Sequence, residues 1–179
     1  MILTDNKILQ EIKNKNILIE PFDVKCLGSN SYDVHLGKTL ATYNDDELDA
    51  KKDNKITCFD IPENGYVLQP HIQYLGVTEE YTETYNLLPM INGKSSIGRL
   101  GIFVHTTAGW GDINFCGNWT LELSVIEPVR IYSGMKIGQL MYFNIDGEVN
   151  NPYNKKVDAK YNNRINKPMA SAMWKNFIR

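Results

Sequence analysis

The sequence predicts a single, mostly β domain, an antiparallel sandwich or barrel with one short helix at its N-terminus. Past the first twenty or so residues helical periodicity nearly vanishes. Short runs rich in β-branched and aromatic residues replace it: SYDVHLG, ATY, ITCFDI, GYVLQP, IQYLGVTEEY, GIFVHTT, NWTLELSVI, VRIYSG and KIGQLMYFNI. Gly, Pro, Asn and Asp clusters separate them, and such residues favour turns over strand interiors. The 179 residues suffice for one sizeable core but not comfortably for two, so the domain is read as continuous over 1–179.

At the N-terminus Thr4 or Asp5 can cap a helix that aligns Ile8, Leu9 and Ile12 on one face, and NKNILIEPF then turns into a strand. Residues 43–55, YNDDELDAKKDNK, are polar and charged and read as a solvated loop. From residue 150 onward periodicity is weak, yet Tyr153, Tyr161, Trp174 and Phe177 remain. A disordered tail is usually poorer in aromatics, so this segment is expected to dock on its own domain or on a neighbouring subunit.

Charged residues make up 22% of the chain and the net charge is −2, which provides no general attraction to nucleic acid, so an anionic ligand must be held by local groups. The opening residues lack the uninterrupted apolar run of a signal peptide or membrane span, and a cytoplasmic protein is expected. Cys26, Cys58 and Cys116 are odd in number and far apart, which argues for reduced thiols.

Three stretches could carry chemistry. In GKSSIGRLG, Lys94 and Arg99 can neutralise phosphate, while Ser95 and Ser96 donate hydroxyls; the order is not that of a Walker loop, and a basic surface turn is the plainer reading. In TAGWGD, Gly109 and Gly111 around Trp110 permit a tight or positive-φ backbone, and Asp112 can accept from a sugar hydroxyl or orient a water; a turn around a packed Trp is the alternative. In TLEL, strand alternation puts Thr120 and Glu122 on one face and Leu121 and Leu123 on the other. Glu122 then either faces solvent or acts as a general acid/base in a pocket. Zinc-dependent base deamination needs H-x-E followed by P-C-x-x-C; His35, His71 and His105 lack such neighbours, and any deamination would have to be zinc-free.

Taken together, GKSSIGRLG, HTTAGWGD, TLEL, GMKIGQL and DAKY, with the opening MILTDNKIL and SYDVHLG, resemble the dCTP deaminase family of the trimeric dUTPase-like fold. The resemblance covers nearly the whole chain and implies a distorted jelly-roll or β-barrel subunit in a homotrimer with active sites at subunit interfaces. It implies that Glu122 is the catalytic glutamate, that Ser95 and Arg99 support it, and that the Ala108 carbonyl helps hold the attacking water. Lys94, Ser95, Ser96, Ile97, Gly98 and Arg99 would bind triphosphate, and Asp112 would meet the deoxyribose 3′-hydroxyl. Thr120, Leu121 and Glu122 would read the cytosine edge, with Gln139, Tyr153 and Lys160 completing phosphate or sugar contacts. Mg²⁺ would arrive with the triphosphate, dTTP is a candidate feedback inhibitor, and residues 150–179 would close over the site.

Gly109 and Trp110 after Ala108 resemble the bifunctional, dUMP-forming members, in which Asp112 would orient a second water toward the α-phosphate. The alternatives are a deaminase that stops at dUTP and ammonia, a dUTPase, and a non-catalytic nucleotide-binding regulator. One position departs from the family pattern: Arg164 stands where a glutamine is usual.

Overall fold

The computed structural model describes residues 1–105, 108–161 and 166–178. Its elements run α1 (Asp5–Lys13), β1 (Ile17–Glu20), β2 (Tyr32–His35), β3 (Thr39–Tyr43), β4 (Ile56–Asp60), β5 (Tyr66–Leu68), β6 (Tyr74–Thr84), β7 (Leu87–Gly93), α2 (Ser95–Gly98), β8 (Ile102–Phe103), β9 (Cys116–Val125), β10 (Val129–Ile131) and β11 (Lys136–Asn144). Short 3-10 turns follow β1 and punctuate the tail. The expected mostly β domain with its short N-terminal helix is what forms. Thr4 occupies the N-cap of α1, though its side chain makes no capping bond, and Ile8 is fully buried.

All strand pairs are antiparallel. One sheet runs β4-β3-β6-β9-β8 with β1 also on β6, a second runs β2-β11-β7, and a third is the ribbon β10-β5. Tyr32, Val34, Leu36, Ile91, Leu121, Leu123, Leu140 and Tyr142 fill the core between them. Fully burying each such leucine contributes about 1.5–3 kcal/mol. A bulge in β6 between Val77 and Tyr81 turns Glu80 inward, where its carboxylate accepts from the His35 backbone N–H at 2.9 Å and faces His35 Nδ1 at 2.5 Å. That buried clasp joins β2 of one sheet to β6 of another.

β7 is absent from the strands predicted above, because Pro89 interrupts its apolar run. Proline is tolerated here because one side of β7 pairs with β11 while the other is a sheet edge. The Gly109–Gly111 segment covers that edge: Ile91 N–H donates to Gly109 O at 2.8 Å, and Gly111 N–H to Pro89 O at 2.8 Å.

Candidate active site

The register of β8 on β9 pairs Ile102 with Val125 and Phe103 with Ser124. Continued two residues past Phe103, that register puts His105 opposite Glu122. Along β9, Trp119, Leu121, Leu123 and Val125 are buried, whereas Asn118, Thr120, Glu122 and Ser124 stay partly accessible. The accessible face is a pocket wall. Glu122, Thr120, Asn118, His105, Ala108 and Asp112 line one cavity of about 510 Å³, together with Trp110, Tyr153 and the tail residues Met169–Ser171.

Glu122 is one-third exposed, and its Oε2 is in close contact with Nδ1 of His105, whose side chain is 7% exposed. A carboxylate can only accept, so Nδ1 carries the proton and donates. The other ring nitrogen, Nε2, is buried without a hydrogen-bond partner among the described residues. An unmet buried group of this kind costs about 1–3 kcal/mol, a strain the fold sustains at the residue touching Glu122.

The two glycines near Trp110 serve close approach and not positive φ. A Cβ on Gly109 would stand 2.4 Å from Ile91 O, and one on Gly111 would stand 2.4 Å from the Trp119 ring. Trp110 itself is 59% exposed at the rim, tilted against Phe143 with ring centroids 5.4 Å apart. Asp112 is half exposed, with Lys156 Nζ 3.5 Å from its Oδ1. Tyr153 N–H donates to Ile113 O at 2.9 Å, so the tail is stitched to the turn beside Asp112. Burial pushes the Tyr153 phenol above its ordinary pKa.

Further along, Met169 N–H donates to Thr120 Oγ1 at 3.2 Å, and Ser171 N–H to Tyr43 OH at 3.0 Å. Ala172 N–H donates to Tyr161 OH at 2.9 Å. The tail therefore lies against the same cavity wall that Thr120 and Glu122 form.

The remaining predicted residues lie outside that lining. Lys94, Ser95, Ser96, Gly98, Arg99, Gln139 and Lys160 are not among the residues lining the Glu122 cavity. Ile97 and Leu121 are buried in the core, so each can offer a ligand its backbone alone. Lys94 pairs closely with Asp33, which also takes Lys136 at 3.1 Å. Donating that hydrogen bond to Asp33 raises the Lys136 pKa. Gln139 accepts from Ser31 Oγ and donates to Gly93 O, both at 3.3 Å, bracing the strand end from which the loop springs. Ser95, Ser96 and Arg99 are exposed on α2 and at its end, and among the described residues the Arg99 guanidinium makes no ion pair. Two lysines around a single carboxylate leave positive charge over, which suits an anion better than a resident metal ion.

Sequence reasoning did not single out His105 as a partner of Glu122, nor Lys156 or Asp33. His105 stands next to the HTTAG stretch, but the strand register that sets it against Glu122 has no local signature. Thr107, which opens TAGWGD, and Arg164 lie outside the described residues.

A family model described as dCTP deaminase-like matches residues 2–145. A Clostridium acetobutylicum protein named "dCTP deaminase, dUMP-forming" is 47% identical over 179 residues, 99% of each chain. A Leptospira biflexa protein of the same name is 50% identical over 149 residues, covering 83% of this chain and 85% of its own. Among solved structures, the 2′-deoxycytidine 5′-triphosphate deaminase of Agrobacterium tumefaciens is similar with a TM-score of 0.62 at 22% identity, over 84% of this chain and 50% of that one. Its likeness is one of fold. With the matched model spanning most of the β domain and relatives near half identity along the chain, the protein belongs to the dCTP deaminase-like family.

Proposed function

We propose that this chain converts dCTP to dUMP by two successive hydrolyses, deamination at cytosine C4 and then release of diphosphate. The observation that carries the reading is Glu122 on the cavity-lining face of β9, in contact with His105 and sharing one cavity with Ala108, Thr120 and Asp112. The names of the Clostridium and Leptospira relatives support both the deamination and the dUMP product.

In the first step Glu122 takes a proton from a water held near the Ala108 carbonyl, and the hydroxide so formed attacks C4. The Glu122 carboxylic acid gives that proton to the ring nitrogen, and the carboxylate so regenerated takes the proton of the new C4 hydroxyl and passes it to the departing amine; ammonia leaves and C4 becomes a carbonyl. Thr120 and the backbone at Leu121 hold the base edge. In the second step Asp112, at the sugar end of the cavity, orients a water toward the α-phosphate, and the α,β bond breaks to give dUMP and diphosphate. Tyr153 and Lys160 complete the sugar and phosphate contacts, and the tail from residue 150 closes the cavity. Mg²⁺ is counted with the triphosphate as part of the substrate and adds charge neutralisation to that of Lys94 and Arg99.

The working unit in this reading is a homotrimer with sites between subunits. Ser95, Arg99 and Gln139 stand apart from the cavity of their own chain, and Leu100, Phe103 and Ile126 beside them are half exposed or more, an apolar surface suited to a second copy. Ser95 and Arg99 then reach Glu122 from the neighbouring copy, where Arg99 steadies developing charge. dTTP carries the same triphosphate and deoxyribose but no exocyclic amine to release, and would compete as a feedback inhibitor. The expected setting is the cytoplasmic nucleotide pool; among the described residues no helix is long and apolar enough to cross a membrane.

Incubation with Mg²⁺ and dCTP, resolving dCTP, dUTP and dUMP while assaying ammonia, tests the proposal. Ammonia and dUMP are expected from the wild type, with dCTP bound but unconverted by Glu122→Gln. Accumulation of dUTP alone leaves a simple deaminase, and untouched dCTP alongside hydrolysed dUTP leaves a dUTPase. Normal turnover by Glu122→Gln removes Glu122 from the chemistry.

A further inference from the structure

We infer that Lys156 is the positioning residue that sets Asp112 for the diphosphate-releasing half of the reaction, an inference that rests on the dUMP-forming reading above. Asp112 sits on a turn between Gly111 and Ile113 with its side chain 53% exposed, and among the described residues of its own loop no hydrogen bond fixes the carboxylate. Among the described residues its ion pair is with Lys156, whose Nζ lies 3.5 Å from Oδ1.

Lys156 is itself held. Its backbone N–H donates to Tyr153 O at 3.2 Å and its carbonyl accepts from Ala159 N–H at 3.2 Å. Its ammonium lies 5.7 Å from the centroid of the Tyr153 ring. Tyr153 is in turn tied to the Asp112 turn through its N–H on Ile113 O, and its ring packs 6.1 Å from that of Phe115. The cation is thus aimed by an aromatic face on one side and engages a single carboxylate oxygen on the other. Oδ2 remains available to a water, and the ammonium, with three donors, keeps hydrogens for a phosphate oxygen.

The consequence is specific to one step. Lys156 touches Asp112 and does not line the cavity around Glu122. Loss of its charge should therefore change the partition between products more than the deamination itself.

The test measures diphosphate and ammonia released from Mg²⁺–dCTP in the same reaction for the wild type, Lys156→Met and Lys156→Arg. The wild type should release one diphosphate per ammonia. A half-exposed ion pair contributes modestly, whereas misplacing a reacting group costs more, so Lys156→Met should lower the ratio roughly three- to tenfold, with dUTP accumulating. Lys156→Arg, which keeps the charge, should restore it to within about twofold. An unchanged ratio in Lys156→Met, or ammonia and diphosphate falling together as mere loss of tail docking would make them, overturns the inference while leaving the dUMP-forming reading standing. Ammonia without diphosphate from the wild type overturns both.

Discussion

Glu122 lies between two fully buried leucines, yet one-third of its side chain reaches the cavity, because strand alternation turns it away from them. Its neighbour His105 decides how that carboxylate points. With Nδ1 donating to Glu122 and Nε2 buried without a partner among the described residues, none of these offers the imidazole a competing hydrogen bond to draw it aside. Replacing His105 with Asn should slow ammonia release by about 10²-fold through misplacement of the carboxylate, with the KM for dCTP little changed. A raised KM at unchanged kcat would assign His105 to packing alone. The alternation of β9 was legible from four letters of sequence. The contact with His105 was not, since it depends on how β8 registers against a strand some twenty residues later.

At the scale of elements, the Gly109–Gly111 segment and β7 form one unit. Pro89 made β7 unreadable as a strand, and the same proline is acceptable because that edge meets a turn instead of another strand. The glycines were legible as a sign of a tight or positive-φ backbone; that they instead serve close approach, to Ile91 O and the Trp119 ring, is set by packing. Gly109→Ala would bring a methyl group against backbone that cannot swing away. It should destabilise the fold by about 1–3 kcal/mol and lower Tm by roughly 2–10 °C in a thermal melt. An unchanged Tm would show that the turn moves independently of β7.

Across the whole molecule the residues of the proposed mechanism fall into two groups. Glu122, Ala108, Thr120, Asp112 and Tyr153 share a cavity, while Lys94, Arg99 and Gln139 cluster toward Asp33 and α2. Coexpressing Glu122→Gln with Arg99→Ala tests whether two copies build each site. Each variant alone should be inactive. In randomly mixed copies of the proposed trimer one site in about four pairs an intact Glu122 with an intact Arg99 of the partner subunit, so about a quarter of wild-type activity should return. No recovery in mixed trimers would place both residues in a site within one chain.

By itself the sequence determined the β character, the N-terminal helix, the face of β9 that carries Glu122, and the spaced motifs that mark the family. These are local properties, set by period-2 patterning, turn residues and short-range spacing. Tertiary structure alone decided that His105 meets Glu122, that Lys156 reaches Asp112, that Asp33 gathers two lysines, and that the GKSSIGR loop stands apart from the cavity it was expected to line. Each of these depends on strand register or on the path of the tail, where residues far apart in the chain become neighbours through the packing of a shared core.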